Sequence, residues 1–262
     1  MRALWTAALM LAAASVQAAE DRGGAVDDRN QVERPFLYLV DPHGPAPRQV
    51  LAGYDLAFSS GAGAIRPVPG HLDQEGLVHA FSLEAGVASR LSIYGTAMIA
   101  QPIGHSDVGA VAVEAGARVL LTPPRDRRLR VMLQASLLRE FGADLGAVGE
   151  VTASYDLGRV RLAAALHAEH IFAAGRDPLD VYAVAGASVR VARPLRLGLE
   201  YVGQDLEAAF DGAEAERGVR HYLGPDAALA LLQHRVLITA GAAVQVARAP
   251  GLLARAGLTY VY

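Results

Sequence analysis

The sequence has no cysteine and no lysine, few aromatic residues, and, beyond its first 19 residues, no apolar run of 18 or more. Without cysteine there are no disulfides, no thiolate metal sites and no cysteine nucleophile. All positive side-chain charge rests on 24 arginines against 27 acids, a net of -3, so no basic footprint exists and nucleic acid is not an expected partner. The lack of lysine beside abundant alanine, glycine and arginine reads as base-composition bias and is given no functional weight. The missing apolar runs exclude further membrane-spanning helices. Hydrolase signatures are also absent: neither a G-x-S-x-G elbow nor an H-E-x-x-H pair occurs.

What is present begins with "MRALWTAALMLAAASVQAAED", a basic residue at Arg2, an apolar stretch from Ala3 to Val16, and small residues before the first acids. This reads as a secretory signal peptide over residues 1–18, cut after Ala18. No cysteine follows the cut, so no lipid anchor is expected. Residues 19–48, with "ERPFLYLVDPHGPAPRQ", are rich in proline and polar apart from Phe36 to Val40. They are expected to form either a periplasmic tail or a segment folded inward as a plug, and the apolar patch favours docking.

From residue 49 to 262 about twelve segments alternate apolar and polar side chains, the period of a β-strand. In "RVRLAAALHAEHIF" the odd positions carry Arg159, Arg161, His167 and Glu169, the even ones Val160, Leu162, Ala164, Leu166 and Phe172. In "LRVMLQASLLREF" Arg130, Gln134, Ser136 and Glu140 oppose Leu129, Val131, Leu133, Leu137 and Phe141. The least regular segments are "VLAGYDLAFS" and "GPDAALALLQ".

Alternation alone does not say which face is inside, because a soluble sandwich alternates too. Three features decide. About ten successive strands keep one face almost wholly aliphatic or aromatic, with exceptions such as His79, Arg139 and His170. That is what a lipid-facing band requires, since a mid-membrane arginine costs about 2–4 kcal/mol. Strands in lipid must also close on themselves to pair every backbone group, usually in even number. Finally, short connections at Ser89-Arg90, Leu157-Gly158 and Arg193-Pro194 interleave with long ones at 59–75 and 203–219, although "TPPRDRR" is long and "FGADLG" short for their places. The expected fold is all-β: an antiparallel transmembrane β-barrel of about twelve strands over residues 49–262, behind a cleaved signal peptide.

A signal peptide, alternating strands to the last residue and a closing aromatic in "GLLARAGLTYVY" resemble a bacterial outer-membrane β-barrel protein, porin-like in architecture but of no identifiable subfamily. The resemblance implies an outer-membrane location in a Gram-negative envelope. It also implies contact with outer-membrane lipids and lipopolysaccharide, and a terminal strand read by the barrel-assembly machinery. Here Leu258, Tyr260 and Tyr262 match that insertion signal, with tyrosine where phenylalanine is usual.

The residues expected to line the interior are Glu84, Glu114, Arg118, Arg130, Glu150, Arg161, Glu169, Arg190, Arg196, Glu200 and Arg255. They fit a hydrated pore for small polar solutes. They fit equally a narrow barrel closed by its own ion pairs, a structural or surface-interaction protein. A membrane lipase is a distant third reading, since the strand serines lie on the charged face and "GHSD" at 104–107 lacks the required spacing. No cofactor or metal is expected: in "HAEH", His170 points away from His167 and Glu169 on a strand. The acids Asp205, Glu207, Asp211, Glu214 and Glu216 read as a solvated loop in preference to a cation site.

Overall fold

The structure, a computed structural model, describes residues 34–40, 42, 44–61, 76–104, 108–123, 128–141, 145–172, 179–204, 206, 219–246 and 250–262. The signal peptide, His105 to Asp107 of "GHSD", and the loop acids from Asp205 to Glu216 lie outside the described residues.

Twelve strands follow one another along the chain. The first six are β1 (Val50–Gly61), β2 (Gly76–Ala88), β3 (Leu91–Pro102), β4 (Gly109–Leu120), β5 (Leu129–Glu140) and β6 (Leu145–Leu157). The rest are β7 (Val160–Ile171), β8 (Asp180–Arg190), β9 (Leu195–Gln204), β10 (Arg220–Leu231), β11 (Val236–Gln245) and β12 (Gly251–Val261). Each pairs antiparallel with its sequence neighbours, and β1 pairs with β12 from Leu51↔Val261 to Gly61↔Gly251, which closes the barrel.

The period of two sorts the side chains. On β7, Arg161, Ala163, Ala165, His167, Glu169 and Ile171 are buried inside, while Leu162, Ala164 and Leu166 are exposed outside. A slip of one residue would exchange the faces and expel three ionisable groups into the outer wall, so the register is strongly fixed. The same sorting exposes Leu83, Ile93, Leu133, Leu137, Leu199 and Leu258 around the outer surface. In water so continuous an apolar surface would drive aggregation; in hydrocarbon it is the matching solvent.

The connections sort by end. The turns at 89–90, 158–159, 191–194 and 232–235 lie at the end that holds Val50 and Tyr262, hereafter the terminal end. The strand ends at Gly61, Gly76, Gln204 and Arg220 lie at the opposite end, hereafter the loop end.

Two irregularities have local causes. The tenth strand starts at Arg220 and stops at Leu231, earlier at both ends than the alternation in "GPDAALALLQ" indicates. It stops because Leu232, Gln233 and His234 adopt φ of 49, 56 and 66°, a left-handed turn no strand can continue through. Within β10, the β11 pairing runs from Leu223↔Val244 to Asp226↔Gly241 with a gap at Gly224-Pro225, where proline has no N–H to give the ladder.

Leu166 is 49% exposed at the middle of β7, on the outer face. The change Leu166→Arg is expected to lower unfolding free energy by about 2–4 kcal/mol, measured by urea titration of protein refolded into vesicles. A change near zero would mean that this face does not meet hydrocarbon.

Candidate functional site

The candidate site is the interior, and strand register assembles it. Directly opposed residues of neighbouring strands share a face, so the pairs Ser92↔Arg118, Arg118↔Gln134, Gln134↔Glu150, Glu150↔His167 and His167↔Tyr182 form one polar row from β3 to β8. Arg118 Nε donates to Gln134 Oε1 at 2.7 Å, and its Nη1 donates to Glu84. The guanidinium lies over the Tyr94 ring, 4.3 Å from its centroid. Ser92 Oγ also donates to Glu84, at 2.6 Å. One step toward the loop end, Glu114 accepts from the Tyr94 hydroxyl and, at 2.5 Å, from Ser136 Oγ.

Further round the wall, Glu150 accepts from Thr152 Oγ1 at 2.8 Å and faces His167 Nδ1 at 3.3 Å. His167 Nε2 lies 3.9 Å from Glu169, and its ring stacks on Tyr182 at 4.0 Å. His170, by contrast, sits half-buried on the outer face with its ring edge against Phe172. Among the described residues no group of three His, Asp or Glu side chains is placed to hold a metal ion.

Arg161 grips Asp156 with two bonds, Nε to Oδ1 at 2.7 Å and Nη2 to Oδ2 at 3.0 Å. Arg255 pairs with Asp55 across β12 and β1 at 3.1 Å. Arg196 is buried and reaches Ser188, while Arg130 and Arg190 lie half-buried toward the terminal end. Thus Glu84, Glu114, Arg118, Glu150, Arg161 and Glu169 join local networks, and Arg255 stands in a separate pair.

Glu200 does something else. Its carboxylate accepts the backbone N–H of Leu37 at 2.8 Å and of Tyr38 at 3.1 Å. Residues 34–40 therefore run inside the barrel, with Phe36 and Leu39 packed in one cluster with Ala163, Ala165, Val184, Val202 and Leu253, and Leu37 buried as well. Two inward glycines make room. A Cβ at Gly186 would lie 2.8 Å from the Phe36 ring, and one at Gly241 2.9 Å from Leu37 Cδ2. The segment then returns to the wall, where Arg48 N–H donates to the Gly86 carbonyl and Gly86 N–H to that of Gln49. Burial raises the Tyr38 phenol pKa far above its ordinary value; Arg255 opposes the rise and Glu200 and Asp226 add to it, so the group stays neutral.

Four further interior residues stand beside the expected set, two outside the legible alternation and two on it. Asp55 and Asp226 sit on β1 and β10, the two least regular strands, where the turn-like "AGYD" and "GPD" mask the alternation. Asp156 and His167 stand on the polar faces but gain their roles only through partners on the next strand. The Leu37 and Tyr38 amides have no sequence signal at all. Glycine at inward positions 186 and 241 was the available hint.

No family model and no curated protein matches this chain. Solved structures do. A KdgM porin in complex with disordered oligogalacturonate is similar at TM-score 0.57 with 8% identity, over 80% of this chain and 98% of that one. A NanC porin is similar at TM-score 0.57 with 7% identity, over 80% and 98%. At such identities the likeness concerns the fold.

If Glu200 holds the inner segment, Glu200→Ala leaves the buried Leu37 amide without its acceptor, at about 1–3 kcal/mol, and the half-buried Tyr38 amide as well. The variant is expected to keep heat-modifiable gel migration yet lose residues 34–48 to added protease several-fold faster, while Gly186→Val does the same by crowding Phe36. Cleavage at the unaltered rate in both would dissociate Glu200 and Gly186 from seating the segment.

With every strand paired, the first to the last, an apolar outer wall and a polar interior, the chain has the fold of the outer-membrane β-barrel proteins.

Proposed function

We propose that the protein is an outer-membrane channel for small polar solutes, with residues 34–48 as a stopper seated in its lumen. The observation that supports it most is the interior row of charged and hydrogen-bonding side chains, Arg118, Gln134, Glu150 and His167, running across β4 to β7 of a closed twelve-strand wall. The similarity to porin folds agrees with a channel role. In this reading the loop end faces the outside and both termini face the periplasm, as an even strand number requires. Acids and arginines interleave around the lumen, so no single sign of charge is selected, which suits small polar solutes better than a long polyanion.

A second reading, a closed structural or surface-interaction barrel, is favoured by one specific observation: Phe36, Leu37 and Leu39 are packed as deeply as core residues. The two readings differ in what the segment does when released. In planar bilayers the intact chain is expected to give small or infrequent current steps, and a chain lacking residues 19–48 larger and more frequent ones. Silence from both folded proteins would sink the channel reading and leave the closed barrel. Lipase assays of the same refolded preparations are expected to read blank.

A further inference from the structure

The outer wall carries a second, sparser pattern. Among outward-facing positions of the described strands, the ionisable side chains other than tyrosine are His79, Arg139, His170 and His221. Each alternates with buried neighbours, such as Val78 and Ala80 around His79 or Leu138 and Glu140 around Arg139, which fixes it to the outside. All four lie within the last four strand residues at the loop end: His79 on β2, Arg139 on β5, His170 on β7 and His221 on β10. The outward positions toward the terminal end are instead Leu91, Leu129, Tyr155, Val189 and Tyr260. No outward strand position among the described residues is acidic.

Two of the histidines are held in the same way on separate parts of the wall. The Tyr54 hydroxyl lies 2.8 Å from His79 Nδ1, and the Tyr201 hydroxyl 2.7 Å from His221 Nδ1. In both cases the tyrosine stands on the neighbouring strand, and the ring centroids are 6.1 and 5.8 Å apart. A polar ring atom facing hydrocarbon is costly unless bonded, and each hydroxyl meets one nitrogen of its ring. With the hydroxyl donating to Nδ1, the ring proton sits on Nε2. That N–H then needs an acceptor from the surroundings of the wall.

We propose that this rim binds the phosphate groups of lipid headgroups in the leaflet at the loop end, with Nε2–H of His79 and His221 as oriented donors and Arg139 as the fixed positive charge. Charge complementarity chooses the occupant. On the strands themselves the outward cationic and donor groups stand at the loop edge without acids, whereas the exposed arginines of the terminal end, Arg90, Arg128, Arg159, Arg193 and Arg235, stand in the turns beyond the wall. Such a strand-borne belt matches an anionic headgroup layer, and guanidinium suits phosphate in particular. The edge is also where a charge on a lipid-facing strand is tolerated. The proposal rests on the outer wall facing lipid and is independent of whether the lumen conducts.

The test uses the full chain inserted in phosphatidylcholine vesicles, reading by electron spin resonance the association of spin-labelled phosphatidic acid relative to spin-labelled phosphatidylcholine. An enrichment of about fivefold is expected, the scale one interfacial arginine confers toward anionic lipid. The variant carrying Arg139→Leu with His79→Phe, His170→Phe and His221→Phe is expected to bring it close to unity. These changes place apolar groups on an apolar wall, so the barrel is expected to keep its heat-modifiable migration. Should that variant not fold, Tyr54→Phe with Tyr201→Phe, which frees both rings, is expected to halve the enrichment or more. An inserted wild type without enrichment overturns the proposal, as does enrichment unchanged in the folded variants. Failure to insert at all would instead overturn the membrane reading beneath it.

Discussion

A backbone amide in hydrocarbon has no water to bond, and a strand has two rows of such groups. The pairing of β1 with β12 removes the only edges the sheet would otherwise have, over a register unbroken from Leu51 to Gly61. Everything else follows from that closure. Once the sheet curves back on itself, alternate residues have nowhere to go but inward or outward, and the two sets face solvents of opposite kind. The outer set must match lipid. The inner set must satisfy its polar atoms within a space whose width the strand number fixes.

The interior meets that demand by register more than by individual contacts. Because opposed residues share a face, the row Arg118, Gln134, Glu150 and His167 lets Arg118 donate to Gln134 and brings His167 beside Glu150. On the β8 to β11 side the wall is different: Gly186 and Gly241 leave hollows, and the backbone of residues 37 and 38 supplies the donors that Glu200 accepts. The wall's own side chains pair from β2 to β7, and the inner segment fills the space against β8 to β11 while also passing Glu84 and Ser92. That asymmetry is why the N-terminal segment belongs to the functional site and not to the periphery.

How much of this was legible in the residue order depends on the kind of interaction. The period of two in "RVRLAAALHAEHIF" is a property of consecutive residues, so β7 and the sidedness of Arg161, His167 and Glu169 could be read directly. Where proline and glycine interrupt the period, as in Gly224-Pro225, both the strand limits and the place of Asp226 were obscured. Partners such as Glu200 and Leu37 stand 163 positions apart and one of them is a backbone amide. No local pattern reports such a pair. The apolar patch at Phe36 to Val40 announced that something would dock, but the hollows that receive it belong to strands far along the chain.

The same closure has a kinetic side. Strands β2 to β11 each have a neighbour close in sequence, so the hairpins can form early and locally, whereas β1 and β12 must meet across nearly the whole described chain. Joining ends so far apart carries the largest loop-closure entropy of any step in the ladder. The segment at 34–48 is tethered to β1 at the terminal end, so it can enter before the seam is sealed or thread the open mouth afterwards. The seam is therefore a clock as well as a joint, and whatever guides β12 into place sets the order in which wall and inner segment come together.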